Sequence, residues 1–113
     1  MPARDLMMIK TRTQLRAAAT NRQRVRVRGV VAQRGGGHYG GGYRNVWLKV
    51  QTPAGNVRVT ASPGTPLGTM PEGSRIELAV SLTGMVNLAE DVYIGERAQV
   101  LALTSAVAPE VGA

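Results

Sequence analysis

The sequence predicts a single all-β domain, and three observations support this prediction. Apolar residues alternate with polar ones in several short segments, which is the pattern of strands that bury one face. Glycine and proline clusters separate these segments. The chain has 113 residues, 43% of them hydrophobic and none of them phenylalanine. Such a chain can bury one modest core, which aliphatic side chains must fill.

Residues 1–21 are predicted to form a lead and one short helix ahead of the main domain. The first ten residues lack a periodic pattern, so we expect them to be flexible or loosely docked. Residues 11–21 favour a helix, which Thr11 or Thr13 could cap. The helix has a thin apolar side that should rest on the barrel end or on a partner, namely Leu15, Ala18 and Ala19. Two of its cations are expected to stay in solvent, Arg12 and Arg16.

The first predicted strand, 24–34, alternates arginine with valine. With a side-chain period of two, this strand turns Val25, Val27 and Val31 inward. Three arginines face outward, namely Arg24, Arg26 and Arg28. Gly29 marks a bend or bulge, which would let one long strand serve both ends of a small barrel. The sequence leaves open whether the three arginines join a binding face or lie on the other side of the barrel.

Two further strands are predicted at 46–51 and 57–60, and the short turn 53–56 joins them. A glycine-rich loop, 35–43, is expected to connect the first strand to the second. Alternation turns the apolar residues of both strands toward the core: Val46, Leu48, Val50, Val57, Val59 and Ala61.

Trp47 is the only tryptophan, and the same alternation puts it on the polar face of the second strand. Lys49 shares this face, and Arg58 should lie near them across the hairpin. We therefore expect Trp47 to face solvent or a ligand instead of the core.

The fourth predicted strand, 74–83, alternates clearly, with Ala79 among its outward residues. Its inward residues are Ile76, Leu78, Val80 and Leu82. Proline and glycine exclude a good helix from the connector 63–73 that precedes it. A fifth strand is predicted at 92–103, with a register too blurred to assign its faces, and the tail 105–113 is expected to fray.

These elements match a small Greek-key barrel. The first strand is long, the second and third form a tight hairpin, and a longer link leads from the third to the fourth. The predicted fold is therefore an all-β, five-stranded Greek-key barrel of the OB-fold type at 22–104, with a short N-terminal helix. An SH3-like barrel is the main alternative.

The charge of the chain is concentrated in its first half. Residues 1–58 hold 12 of the 14 cations and one acid, a net charge of +11. Residues 59–113 hold two cations and six acids, a net charge of −4. This asymmetry indicates a surface that faces a polyanion, although basic runs are often only solvated.

The chain has few residues that could support catalysis or bind a metal. The chain has one histidine and no cysteine, so a nucleophilic triad would depend on His38 within a glycine run. The acids are few, and the glycine run lacks the Gly-Lys-Ser/Thr ending of a phosphate loop. We expect no enzyme activity, no metal and no cofactor.

No window reaches the roughly 18 apolar residues of a membrane span, and no signal peptide is indicated, so a cytoplasmic protein is expected.

Several segments carry a resemblance to a known family: the basic strand 25–31, the glycine and tyrosine loop into 43–50, the strands 55–62 and 73–80, and the closing segment 95–101. In these segments the chain resembles OB-fold single-stranded DNA-binding proteins, including small ones from phages and mobile elements. The resemblance covers roughly 22–104. It implies binding of single-stranded DNA with little sequence preference, in replication, recombination or repair. Bacterial housekeeping members of this family end in an acidic tail with an aromatic residue at its tip. This chain departs from them, since 106–113 has one acid and no aromatic residue.

Single-stranded nucleic acid needs cations for its phosphates and flat side chains on which its bases stack. The predicted contact residues are Arg26, Arg28, Arg34, His38, Tyr39, Tyr43, Arg44, Trp47, Lys49 and Arg58. We expect the loop 35–42 to close over a strand that lies on Trp47 and Lys49, with His38 and Tyr39 as mobile contacts. The alternative for this loop is a floppy hairpin tip without a ligand. About five phosphate contacts would give a logarithmic salt slope of roughly −3.5.

Two alternatives for the partner remain at this point. RNA could lie on the same stacking face, and only contacts to its 2′-hydroxyl would distinguish it from DNA. The basic face could instead dock an acidic protein in an assembly. Self-association as a homodimer or higher oligomer is also expected, from the aromatic residues and an unsatisfied sheet edge. No membrane partner is predicted.

Overall fold

A computed structural model describes residues 2–39, 43–87 and 92–106 of the chain. The elements are α1 (Arg12–Thr20), β1 (Arg24–Tyr39), β2 (Tyr43–Thr52), β3 (Gly55–Ala61), β4 (Arg75–Asn87) and β5 (Val92–Thr104). One-turn 3-10 helices lie at Ala3–Asp5 and Leu67–Thr69. The strands form a closed barrel in the order β1-β2-β3-β5-β4, in which β3 and β5 run parallel and all other pairs are antiparallel. This confirms the predicted five-stranded OB-fold-type barrel with a short N-terminal helix.

β1 is longer than its neighbours because it serves two ladders. Its first part pairs with β4 from Arg24 to Val30, and its second part pairs with β2 from Val30 onward. Gly29 stands near this change of partner, where a Cβ would fall 2.2 Å from the backbone oxygen of Gln51. Glycine is therefore required for close approach of β2, while the register shift itself comes later, between Val31 and Gln33.

The glycine-rich segment differs from the predicted loop. Gly35, Gly36 and Gly37 are strand residues of β1, and the pairing with β2 continues to Tyr39 opposite Tyr43. The expectation of a loop over 35–43 was thus wrong for the part that the structure describes, and 40–42 lie outside the described residues. Continuous backbone pairing with β2 outweighs the low strand propensity of glycine.

The core is aliphatic, as the composition requires. The inward residues predicted for β1 to β4 are buried, including Val25, Leu48, Val57 and Ile76, except Ala61, which is half-buried. Tyr93 joins them at 2% exposure, and its hydroxyl has no hydrogen-bond partner in the described part of the chain.

Ala79 departs from the prediction, since it was expected to face outward and is fully buried at 0% exposure. It stands between Arg26 of β1 and Gln99 of β5 in the sheet. A methyl group between two long side chains is readily covered, even on the outer face of a barrel.

Helix α1 packs its predicted apolar side into the core, with Leu15, Ala18 and Ala19 buried. Thr11 is the cap, because its side chain accepts from the backbone of Gln14 while the Gln14 side chain accepts from the backbone of Thr11. None of the helices in the described ranges is long and apolar enough to cross a membrane.

The lead is docked more closely than its composition indicates. Ile9 is buried at 2% exposure. Its backbone donates to the Arg26 carbonyl at 2.9 Å, and the Arg26 backbone donates to the Met7 carbonyl at 2.9 Å. The segment therefore lies alongside β1.

Candidate nucleic-acid interface

The outer surface of β2 and β3 brings together part of the predicted site. In β2, alternation buries Val46, Leu48 and Val50 and turns the residues between them outward. We define the β2–β3 face by its outward residues, Trp47, Lys49 and Gln51 of β2 with Arg58 and Thr60 of β3. Trp47 is half-buried there and lies outside the core, as the alternation predicts.

Trp47 lies against the backbone of β1 and beneath a cation from β3. Gly35 is its direct partner in the β1–β2 ladder, and a Cβ on Gly35 would fall 2.5 Å from Cε2 and Cζ2 of the indole. Arg58 is a diagonal neighbour, and its guanidinium carbon lies 4.8 Å from the ring centroid. This distance is within the range of a cation–π contact. The indole thus contacts both the glycine of β1 and the arginine of β3.

Lys49 and Arg58 oppose each other directly in the β2–β3 ladder. Like charges at opposed positions destabilise a strand pair unless something neutralises them. No Asp or Glu occurs between Asp5 and Glu72, so neither β2 nor β3 supplies an acid. Among the described residues the ion pairs are those of Glu77, and neither Lys49 nor Arg58 takes part in one. Within the described part of the chain, the face therefore carries two adjacent cations without a protein counter-charge.

Arg34 has a different position from the one that the sequence suggests. Its Nη1 donates to the Met70 carbonyl at 2.9 Å, and its Nη2 donates to the Gly68 carbonyl at 2.9 Å. Both acceptors belong to the connector between β3 and β4. The guanidinium thus fastens this connector to the barrel.

The arginines at the start of β1 lie on a separate surface, the outer side of the β1–β4 ladder. Glu77 accepts from Arg28 at 2.8 Å and from Arg26 at 3.4 Å. Arg26 also donates to the Leu6 carbonyl, and Arg24 donates to Ser81 and to the Arg97 carbonyl. These contacts hold the β1–β4 ladder and the lead together, and the structure does not bring these arginines to Trp47.

Four predicted contact residues extend the β1–β2 hairpin beyond the end of β3. His38 pairs with Arg44, and Tyr39 pairs with Tyr43. β3 has its last pairing with β2 at Val46, so these positions continue the ladder past the β2–β3 face. Their side chains lie outside the described part of the structure.

Sequence reasoning missed several residues that border the face. Gln33 pairs with Lys49, and Gly35 supports Trp47. Their place beside the face can be recognised only once the β1–β2 register is known. Gly35 in addition belonged to the predicted loop. Arg12 is exposed, as expected, and it also lines an open pocket together with the turn that joins β2 to β3.

No protein-family model, curated protein or solved structure matches this chain.

Proposed function

We propose that the chain binds single-stranded DNA with little sequence preference, using the β2–β3 face, and that it protects or organises the strand during replication, recombination or repair. It is proposed as a binding protein and not as an enzyme. A cytoplasmic location remains the expectation from the sequence.

The observation that carries the proposal is the position of Lys49 opposite Arg58, whose guanidinium lies over the half-buried Trp47. A polyanion would relieve the repulsion between the two cations, since no acid of β2 or β3 does so. Phosphates supply that charge, and an indole supplies the stacking surface for a base. Together they favour a single strand over other anions, because a duplex keeps its bases stacked on one another.

Arg58 gives the face a simple means of accepting a base. Its guanidinium lies over the indole when no strand is bound. An incoming base takes this place on the ring, and the flexible arginine turns to a phosphate. Stacking of a base is worth roughly 1–3 kcal/mol, more than the roughly 0.5–1 kcal/mol of an exposed cation–π contact, so the exchange is favourable. Every base has a flat face, which is why little sequence preference is expected.

The test is a binding titration with a fluorescently labelled 15-nucleotide polythymidine, followed by anisotropy. Lys49→Gln and Arg58→Gln should each raise Kd about fivefold at about 0.1 M salt and make the logarithmic salt slope less steep by about 0.7. Arg75→Gln removes the same charge from an exposed position of β4 and serves as the control. Equal effects of all three substitutions would contradict a site on the β2–β3 face.

Two further arms separate the alternatives. A matched RNA oligonucleotide that binds more tightly than the DNA would indicate contacts to the 2′-hydroxyl and replace DNA by RNA. Absence of oligonucleotide binding at physiological salt, together with stable capture of an acidic protein, would replace the proposal by an assembly module.

A further inference from the structure

We propose that helix α1 extends the strand-binding path, with Arg12 and Arg16 binding phosphates of nucleotides that lie beyond the β2–β3 face. This inference rests on the proposed function. It gives a role to two cations for which the sequence predicts only exposure to solvent.

The helix is fixed at one end of the β2–β3 face. Leu15 is fully buried, and its Cδ2 lies 3.0 Å from the position of a Cβ on Gly55. Gly55 opens β3 and pairs with Thr52 at the end of β2. The buried side of α1 therefore packs against the turn that joins the two strands.

A pocket connects the helix to the outer row of β2. Arg12 lines this open pocket of about 280 Å³ together with the end of β2 and the turn, including Gln51, Pro53 and Asn56. Gln51 follows Trp47 and Lys49 in the outward row of β2. This row rises by about 13 Å from Trp47 to Gln51, at roughly 3.3 Å per residue. A DNA single strand that lies along this row of β2 therefore reaches the pocket after it has passed Lys49.

Helix α1 adds cations next to this row, because Arg12 lines the pocket at its end. Arg12 and Arg16 are four positions apart, so they share one side of α1, and both are exposed. The whole stretch from Leu6 to Pro71 is free of Asp and Glu. A polyanion therefore passes from Lys49 to Arg16 without meeting an acid of the helix, of β2 or of β3.

The test compares two lengths of polythymidine, about 4 and about 15 nucleotides, which span the usual range of sites on one OB-fold. Arg16→Gln should raise Kd for the long oligonucleotide about fivefold at about 0.1 M salt, and the double substitution with Arg12→Gln should make its salt slope less steep by about 1.4. Binding of the short oligonucleotide should change by less than twofold, because it occupies only the β2–β3 face.

Two control variants identify the cause. Glutamine is a good helix former, so α1 should persist, which far-ultraviolet circular dichroism checks. Arg16→Lys keeps the charge and should retain most of the affinity for the long oligonucleotide. Arg75→Gln should leave both lengths unaffected.

The outcomes separate this inference from the proposed function. If the wild type binds both lengths and the glutamine variants bind the long one as tightly as it does, the path does not include α1 and the inference is overturned. If the wild type binds neither length, the proposed function fails and the inference fails with it.

Discussion

Gly35 is the residue on which the position of Trp47 depends most directly. Because a Cβ at Gly35 would fall 2.5 Å from the indole, Gly35→Ala must push the ring away from β1. We expect a loss of stability of about 1–3 kcal/mol from this overpacking, with a shifted tryptophan emission maximum and weaker binding of single-stranded DNA. Urea unfolding and the emission spectrum measure the first two effects.

The neighbouring Gly36 provides the matched control. A Cβ there would meet nothing within 4 Å. Gly36→Ala should therefore be neutral or stabilise the protein by up to about 1 kcal/mol, through the lower entropy of the unfolded chain. If the two substitutions had the same effect on the emission of Trp47, the indole would not lie on Gly35.

Arg34 illustrates what a sequence pattern cannot show at the scale of one residue. Its place beside the glycine run predicts a phosphate contact, but its two acceptors lie in a connector more than 30 positions away in the sequence. Only the closed barrel brings them together. By contrast, the alternation around Trp47 predicts its outward position, because strand geometry alone decides it.

Arg34→Met should therefore lower stability by about 1–3 kcal/mol, since it removes two hydrogen bonds and leaves two carbonyls without their donors. Urea unfolding measures the loss. Binding of the folded variant to polythymidine should change less than that of Arg58→Gln. Unchanged stability together with a large loss of affinity would mean that Arg34 binds phosphate after all.

At the scale of elements, helix α1 could be predicted in some detail. The sequence offered two caps, and the structure selects Thr11, which forms a reciprocal capping box with Gln14. Thr11→Ala should cost about 0.5–2 kcal/mol, as for other threonine caps. Thr13→Ala, at an exposed position inside the helix, is the control and should be neutral or slightly stabilising in urea unfolding. Equal costs at the two positions would argue against the capping box.

β5 could be predicted as a strand but not in its register. It pairs with β4 through several register shifts, and Arg97 within it has a left-handed φ of 54°. Gly95 faces the core, where a Cβ would fall 2.9 Å from Val57. Such irregularities break the period of two on which a reading of strand faces depends. The glycine-rich part of β1 was not predicted as a strand for a related reason, because only its pairing with β2, a tertiary contact, makes it one.

At the scale of the whole molecule, closure of the barrel changes the argument for self-association. The expectation of a dimer rested partly on an unsatisfied sheet edge, but each of the five strands has a neighbour on both sides. A homodimer stays a prediction without that support. Sedimentation velocity at several protein concentrations, with and without oligonucleotide, measures the oligomeric state directly.

The charge of the molecule predicts a steep dependence of binding on salt. Contacts from Lys49, Arg58, Arg12 and Arg16 would give a logarithmic slope of about −2.8 with a long single strand, and the five contacts expected from the sequence about −3.5. Titrations at three or more salt concentrations measure the slope. A slope near zero would exclude phosphate contacts as the source of affinity.

The most direct test of the central claim uses Trp47 itself, because it is the only tryptophan and its emission reports on the β2–β3 face alone. Polythymidine should be titrated into the wild-type protein at two salt concentrations, beside a duplex of equal length. We expect strong quenching by the single strand, weakened by salt, and little quenching by the duplex. Tight binding of the single strand without any change in Trp47 emission would contradict stacking on this face, and absence of binding would contradict the proposed function as a whole.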